Sequence, residues 1–96
     1  MSEVIDLPKK LDTSMAEGLS QRLKRARTGD LLIDGRRVQS LGTLCAQALV
    51  GAYKYANSNS QKIKILASEA MRDDLRLLGL SMLIEPETDL ENGEME

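Results

Sequence analysis

The sequence predicts a single-domain α/β fold, in which about four strands form a largely parallel sheet and three helices lie mainly on one face. The first observation is the order of elements, because β-prone runs alternate with amphipathic helical patterns as β-α-β-α-β-α-β within residues 1–84. Strands that alternate with helices in this way pair in parallel through right-handed crossovers. The second observation is size, since 96 residues are enough for one domain. The third is the helix count, because three helices cannot cover both faces of such a sheet.

The first strand and the first helix are separated by Pro8. Residues 4–7 are β-prone, and the proline prevents a helix from running through them. Ser14 and Glu17 then have the spacing of a capping box at a helix start. We expect this helix to end at about Arg27. Its inward residues recur at intervals of three and four and are Met15, Ala16, Leu19, Leu23 and Ala26.

The second strand and the second helix carry the strongest patterns in the chain. Residues 30–35 have apolar side chains on both faces, which is typical of an interior strand. The following helix has one apolar face and ends at the polar run of residues 57–60. That face contains Leu41, Leu44, Cys45, Ala48, Leu49, Ala52 and Ala56. Its position predicts that Cys45 is a small apolar filler of the core and not a reactive thiol.

The last elements are predicted from residue 62 onward. Residues 62–67 begin with polar–apolar alternation and form the third strand. Ser68 is placed to cap a third helix, and Gly79 is suited to end it in a left-handed conformation. The inward residues of this helix are Met71, Leu75 and Leu78. Residues 80–84 are predicted as a last short strand before Pro86.

Composition restricts the classes of function. The chain has no His and one Cys, so it lacks the commonest acid–base group near neutral pH and allows neither an intramolecular disulfide nor a thiolate cluster. These absences predict a protein that is not an enzyme and that holds no cofactor and no metal. With no Phe or Trp and two Tyr, the sequence lacks stacking platforms for single-stranded nucleic acid. A membrane span needs about 20 apolar residues, and no apolar run in the chain is that long. The first residues also lack the basic start of a signal peptide. We therefore expect a cytoplasmic protein without membrane insertion.

Charge divides the chain into a body and a tail. All 13 Lys and Arg lie in residues 1–84, together with nine of the 15 acidic residues. The other six acidic residues lie in residues 85–96. Residues 86–96 contain too few apolar side chains to offset the entropy of ordering the chain. We therefore expect a domain over residues 1–85 and a disordered acidic tail over residues 86–96.

Several short motifs, taken in order, resemble the STAS family, the domain shared by sulfate transporters and anti-sigma factor antagonists. A strand over residues 31–34 and a loop are followed by residues 38–42, which lead directly into an Ala/Leu-rich helix. Leu11-Asp12 precedes the first helix, where the family has a Leu-Asp pair. Residues 62–66 stand where the family has a strand, and residues 75–80 resemble its closing Leu-x-x-x-Gly-Leu signature.

This resemblance covers roughly residues 3–85 and implies a STAS-like fold with a non-catalytic signalling role. In family members that bind anti-sigma kinases, the strand-to-helix loop reads Asp-Ser-Ser/Thr-Gly, and the partner kinase phosphorylates the first hydroxyl residue. By position, Gln39 replaces the Asp, Ser40 occupies the phosphoacceptor place, Leu41 replaces the second hydroxyl residue and Gly42 matches. The resemblance therefore implies Ser40 as a phosphorylation site, and Gln39 is a departure from the family pattern.

Ser40 also has an interpretation that does not depend on the family. A Ser directly ahead of an apolar-periodic helix is a candidate N-cap, whose hydroxyl accepts a backbone N–H. The two interpretations are compatible, because the N-terminus of a helix favours a negative group such as a phosphate.

Neighbouring residues complete the predicted partner-binding surface. Arg36 and Arg37 lie just upstream and could pair with a phosphate on Ser40. The second helix carries small or lightly polar residues opposite its core stripe, with Lys54 as the single charge, which favours contact with another protein over a solvated face. The predicted partner-binding residues are Arg36, Arg37, Gln39, Ser40, Leu41, Gly42, Thr43, Ala46, Gln47, Val50 and Lys54.

The partner that the resemblance implies is a kinase of the histidine-kinase or anti-sigma ATPase type. Two settings fit, namely partner switching that frees a sigma factor and binding to the sensor histidine kinase of a chemotaxis system. The departure at Gln39 favours an adaptor role in which phosphorylation of Ser40 is not needed. The alternative is a STAS accessory subunit of a lipid-transport ABC system that binds its ATPase. A weaker third interpretation is a small-ligand sensor, and the sequence leaves the oligomeric state open.

Two further motifs fit structure better than function. Asp34 stands at a strand end like the phosphoacceptor of a response-regulator receiver, but that site needs an acidic pair after the first strand to hold a magnesium ion. The adjacent pair Asp73-Asp74 lies on the third helix instead. A basic strip on the first helix could contact nucleic acid or lipid headgroups, but in a near-neutral protein it is more typical of a solvated face. The strip consists of Arg22, Lys24, Arg25 and Arg27.

Overall fold

The computed structural model describes residues 2–26 and 29–84, which form three α-helices, five short strands and two 3₁₀ turns. The strands are β1 (Ser2–Asp6), β2 (Lys10–Leu11), β3 (Asp30–Gly35), β4 (Ser40–Leu41) and β5 (Ile63–Ala67). The helices are α1 (Ala16–Arg25), α2 (Thr43–Ser58) and α3 (Glu69–Leu77), and the 3₁₀ turns are Thr13–Met15 and Ser81–Leu83. No helix in the described part of the chain is both long and apolar enough to cross a membrane.

The main sheet has three parallel strands in the order β1-β3-β5, so β3 is the interior strand that its apolar run predicts. Ile5, Ile33 and Ile65 align across it and are buried in one core cluster with the helices. On the opposite face, the aligned Val4 and Lys64 are exposed. The predicted α/β fold, with its helices on one face of the sheet, is therefore confirmed.

The strand predicted over residues 80–84 is wrong, because this segment contains the 3₁₀ turn Ser81–Leu83. Gly79 ends α3 at φ 75°, which is the left-handed conformation that its position predicts. The N–H of Leu80 then donates to the carbonyl of Leu75 at 2.7 Å, and the N–H of Gly79 donates to Arg76 at 3.1 Å. These two bonds turn the chain back onto α3, so it does not reach the sheet. A separate two-stranded parallel sheet, β2-β4, is formed instead.

The start of the first helical segment also differs from the predicted capping box at Ser14. Asp12 caps the 3₁₀ turn Thr13–Met15, since its carboxylate accepts from the Ser14 N–H at 3.1 Å and from the Ser14 hydroxyl at 2.6 Å. An acid two residues earlier therefore takes the role that the spacing assigns to Ser14. α1 follows and ends at Arg25, and the predicted end at Arg27 lies outside the described residues.

The buried faces of α2 and α3 differ from prediction at three positions. Leu44 is exposed and Ala46 is fully buried, and Leu78 is also exposed. α2 is contacted by α1 and by both 3₁₀ turns, Thr13–Met15 and Ser81–Leu83, so neighbours other than the sheet decide which of its residues are buried. Periodicity alone assumes that only the sheet covers the helix. By contrast, Ser68 caps α3 as predicted, and its hydroxyl accepts from the Met71 N–H at 3.0 Å.

Candidate partner-binding site

The loop from β3 to β4 is held in place by backbone hydrogen bonds. The N–H of Val38 donates to the carbonyl of Gly35 at 3.1 Å and closes a turn. The carbonyl of Lys9 accepts from the N–H groups of Gln39 at 2.6 Å and Ser40 at 3.2 Å. The hydroxyl of Ser68 donates to the Val38 carbonyl at 2.5 Å and ties the loop to the start of α3. Position 40 is therefore fixed in space by three different segments of the chain.

Ser40 is exposed but does not cap α2. The N-cap of α2 is Gly42, which is extended at φ −79° and ψ 162° and provides no side-chain cap. Ser40 lies two residues earlier in β4, because the pairing of β4 with β2 keeps residues 40 and 41 extended. The N-cap interpretation is wrong for this reason. Within residues 2–26 and 29–84 the Ser40 hydroxyl has no hydrogen-bond partner, which leaves it accessible from solvent.

Lys10 is a neighbour of Ser40 that the sequence does not indicate. The two residues are register partners in the parallel pair β2-β4, and both are exposed, whereas the next pair, Leu11 and Leu41, is buried. Register partners on neighbouring strands lie about 4.8 Å apart and share a face of the sheet. An ammonium group can therefore approach the Ser40 hydroxyl. Detecting this neighbour requires a strand pairing between residues 30 positions apart in the sequence.

Arg36 is already engaged by the carboxylate of Asp34. Its Nε donates to Oδ1 at 3.0 Å, its Nη2 donates to Oδ2 at 2.9 Å, and its backbone N–H donates to Oδ1 at 3.1 Å. The side-chain hydrogen bonds from Arg36 are the main reason that the pKa of Asp34 is lowered to about 2. The same bonds raise the pKa of Arg36. Arg37 is exposed and makes no ion pair within the described residues, so it is the freer of the two predicted phosphate ligands.

Leu41 and Gly42 position the site and do not offer side chains to a partner. The side chain of Leu41 is buried in the core, so its prediction as a contact residue is wrong. Its N–H donates to Oδ2 of Asp74 at 2.9 Å, which joins β4 to α3. Gly42 passes so close to β2 that an added Cβ would lie 3.0 Å from the Leu11 carbonyl oxygen. The glycine allows this close approach of two backbone segments.

The outward face of α2 forms one wall of an open groove with a volume of about 460 Å³. It contains four of the predicted contact residues and, in addition, Gly51 and two leucines from the end of α3. The lining residues are Thr43, Gln47, Val50, Gly51, Lys54, Leu78 and Leu80. Ala46 is fully buried and does not belong to it, which corrects that prediction. The single charge among these lining residues is the ammonium of Lys54.

Gly51 is the residue of this groove that sequence patterns do not identify. It lies inside α2, where glycine is about 1 kcal/mol less favourable than alanine. A Cβ at this position would meet nothing within 4 Å, so neither packing nor close approach within the chain requires glycine. Because Gly51 has no side chain, the floor of the groove is flatter at this position. A glycine without an internal role on a weakly charged helix face is the signal that could have indicated close contact with another molecule.

The acidic residues of α3 near the site are engaged in contacts within the chain. In the part of the chain that the structure describes, no three Cys, Asp or Glu side chains converge on a point that could hold a metal ion. Asp73 pairs with Arg76 at 3.1 Å, whereas Asp74 accepts from Leu41. Cys45 is buried, and burial together with the nearby Asp12 carboxylate raises the pKa of its thiol. It donates to the Asp12 carbonyl at 3.3 Å, which agrees with a filler role.

The fold of this chain also occurs in a protein of known structure. No profile of a known protein family and no curated protein sequence matches the chain. Among solved structures, the anti-sigma factor antagonist SpoIIAA in its unphosphorylated form superposes with a TM-score of 0.73 and 14% sequence identity. The match covers 96% of this chain and 87% of that chain. The chain therefore has a STAS-like fold, as its motifs indicate.

Proposed function

We propose that this protein is a non-catalytic STAS-like signalling adaptor that binds a kinase partner and changes the activity of that partner. The observation that carries the proposal is the exposed Ser40 hydroxyl next to the N-terminus of α2, whose outward face lines a weakly charged groove. The fold shared with the anti-sigma factor antagonist SpoIIAA supports the same class of function. The partner would be an anti-sigma kinase or the sensor histidine kinase of a chemotaxis system.

The proposal places the protein in the cytoplasm, with a folded domain over residues 1–85 and an acidic tail over residues 86–96. Residues 85–96 lie outside the described part of the chain.

Phosphorylation of Ser40 would act on the surface and not on the fold. The hydroxyl makes no hydrogen bond within the described residues, so its modification breaks none. A phosphate adds a charge of about −1.5 to −2 at neutral pH. Lys10 lies across the strand pair and Arg37 lies in the adjacent loop, whereas Arg36 is held by Asp34. The phosphate would therefore lie near these cations and three residues before the start of α2, where it changes the surface that a partner contacts.

The groove is tested by placing a charge in its wall. Val50→Glu introduces a carboxylate at a half-buried position in the groove, and we expect it to weaken binding of a purified partner kinase by about tenfold or more. Val4→Glu makes the same change on the open face of the sheet and is the matched control. Affinities are measured by isothermal titration calorimetry, after affinity purification from the native cell and mass spectrometry have identified the partner. Equal affinities for Val50→Glu and Val4→Glu would remove the groove from the binding site.

The role of Ser40 is tested separately. We expect Ser40→Asp to weaken kinase binding, because it adds a negative charge to the exposed surface just before α2, and Ser40→Ala to bind like the unmodified protein. Identical binding of both variants would show that position 40 is no switch. The alternative function, an accessory subunit of a lipid-transport ABC system, predicts that Ser40→Ala has no effect in the cell and that a transporter ATPase co-purifies with the protein.

A further inference from the structure

A second concave site lies between α1 and the segment that joins β1 to β2, and it shares no lining residue with the α2 groove. Its volume is about 400 Å³, which is in the range of small-ligand sites. Leu7, Leu11 and Leu19 belong to the buried core and form the apolar floor of this cleft. Met15, which lies on its wall, is 39% exposed. Since Leu7, Leu11 and Leu19 are 1%, 1% and 6% exposed, the apolar surface that the cleft offers to a ligand comes mainly from Met15 and from the exposed Pro8.

Gly18 lies inside α1 and lines this cleft. Glycine destabilises a helix interior relative to alanine. No positive φ value requires glycine here, and a Cβ at this position would meet nothing within 4 Å. The absence of a side chain therefore has one structural consequence, which is a deeper cleft. An unfavourable residue whose effect is to keep a cavity open indicates that the cavity takes up a ligand.

Two cations define the chemistry of that ligand. Arg22 and Arg25 line the same cleft, and neither guanidinium forms an ion pair or a hydrogen bond within residues 2–26 and 29–84. Lys24 instead lines the cleft between α1 and α2. Asp6 also lines the site, and its carboxylate would repel a negative group of the ligand. We therefore expect the negative group of the ligand to lie next to the two arginines. Guanidinium groups bind carboxylates through charge-assisted hydrogen bonds.

We propose that this cleft binds a single monomeric anionic amphiphile of the fatty-acid class. The alkyl chain would lie against Pro8 and Met15 next to Gly18, above the buried leucines, and the carboxylate would bind Arg22 and Arg25. The proposal goes beyond the adaptor function, since it uses neither Ser40 nor any residue of the α2 groove. It places a ligand at a cleft that the sequence patterns do not identify.

The probe is dodecanoate below its critical micelle concentration, titrated into the full chain and followed by calorimetry and by ¹⁵N–¹H NMR. We expect saturable binding of one molecule, with chemical-shift changes at Gly18, Leu19, Arg22 and Arg25. Dodecyltrimethylammonium, which has the same chain and the opposite charge, should bind about tenfold more weakly. Equal affinities for the two amphiphiles would overturn the proposal. Binding only above the micelle concentration, or only to vesicles of anionic phospholipid, would also overturn it.

Two pairs of variants distinguish this cleft from other surfaces. Gly18→Leu fills the cleft and should weaken dodecanoate binding by about tenfold or more, whereas Gly51→Leu makes the same change on α2 and should not. The double variant Arg22→Gln/Arg25→Gln should weaken binding by about tenfold, and Lys24→Gln on the same helix is its control. Gly18→Ala keeps the test valid if Gly18→Leu does not fold, because alanine favours the helix and still narrows the cleft. Wild-type affinity in folded Gly18→Leu, or in Gly18→Ala if the leucine variant is unfolded, would overturn the proposal.

Discussion

At the scale of single residues, the glycines differ in what an added methyl group would meet. At some positions it would clash with neighbouring atoms, and at others it would point into open space. An added Cβ at Gly35 would lie 2.5 Å from Sδ of Met71 and 3.0 Å from the Leu66 carbonyl oxygen. Met71 is fully buried, so its side chain has little room to move. At Gly18, by contrast, no atom lies within 4 Å of the added carbon. The same substitution should therefore have opposite effects at these two positions.

We predict that Gly35→Ala lowers the free energy of unfolding by about 1–3 kcal/mol, because overpacking a filled core forces side chains and backbone to shift. Gly18→Ala should leave stability unchanged or raise it by up to about 1 kcal/mol, because alanine is the better helix former. Urea unfolding followed by circular dichroism measures both. A Gly35→Ala variant as stable as the wild type would show that α3 is not packed tightly against the end of β3.

The ion pair of Asp34 and Arg36 makes a prediction about pH. The pKa of Asp34 is lowered from 3.8 to about 2 by its hydrogen bonds from Arg36. Since the folded-state pKa lies below the unfolded-state value, the stabilisation is fully present above the unfolded-state pKa and is lost as the pH falls through about 2. In Arg36→Gln we expect the pKa of Asp34 to rise towards 3.8, as measured by the carboxyl chemical shift in an NMR titration. Arg37→Gln is the control and should move this pKa much less. An unchanged pKa in Arg36→Gln would contradict the hydrogen-bonded pair, and added salt should reduce the effect, because the pair is solvent-accessible.

At the scale of elements, the short pair β2-β4 depends on α3 for its position. The carboxylate of Asp74 accepts the N–H of Leu41, and the carbonyl of Leu11 accepts the N–H of Gly42 at 2.8 Å. Ser68, at the start of α3, binds the carbonyl of Val38 in the preceding loop. The strand that carries Ser40 and the residues on either side of it are therefore joined to α3 and to β2 through their backbone groups. The site is placed by polar contacts as well as by hydrophobic packing.

We predict that Asp74→Ala destabilises the protein by about 1–3 kcal/mol, because it leaves the partly buried N–H of Leu41 without its acceptor. Asp73→Ala removes the neighbouring carboxylate, whose pair with Arg76 is exposed, and should cost less than about 1 kcal/mol. Hydrogen exchange at the amide of Leu41 should become faster in Asp74→Ala and stay the same in Asp73→Ala. If both variants show the same exchange rate at Leu41, Asp74 does not hold β4.

Elements differ in how far the sequence predicts them. α3 has a capping serine, an apolar stripe and a terminating glycine, and each of these local signals is confirmed except at Leu78. β2 and β4 have two residues each, which is too short for alternation to be recognised. Ser40 therefore resembles an N-cap in the sequence, although the pairing with Lys10 makes it a strand residue. The predicted last strand is wrong because hydrogen bonds at the end of α3, and not local propensity, decide the path of the chain.

At the scale of the whole molecule, the helices cover one face of the sheet and leave the other to solvent. The order of elements predicts that the helices lie on one face of the sheet, but the groove of the candidate site depends on tertiary packing. Leu78 and Leu80 line the groove from the end of α3 and the residues after it, and Ala46 is buried and does not line it. Neither effect has a periodic signature. The accessible position of Ser40 could be predicted from the strand-to-helix motif, whereas its cationic neighbour and the groove wall could not.

Because the helices cover only one face of the sheet, substitutions at two adjacent residues of β1 should differ in their effect on stability. Val4 is 54% exposed on the open face, and Ile5 is fully buried against the helices. Val4→Thr should change the free energy of unfolding by less than about 0.5 kcal/mol, because it alters an exposed surface position. Ile5→Thr should lower it by about 2–4 kcal/mol, because it removes buried methyl groups and places a hydroxyl in an apolar core. Urea unfolding of the two variants under the same conditions measures the difference. Comparable losses of stability at both positions would mean that the outer face of the sheet is also covered, by another part of the chain or by a second molecule.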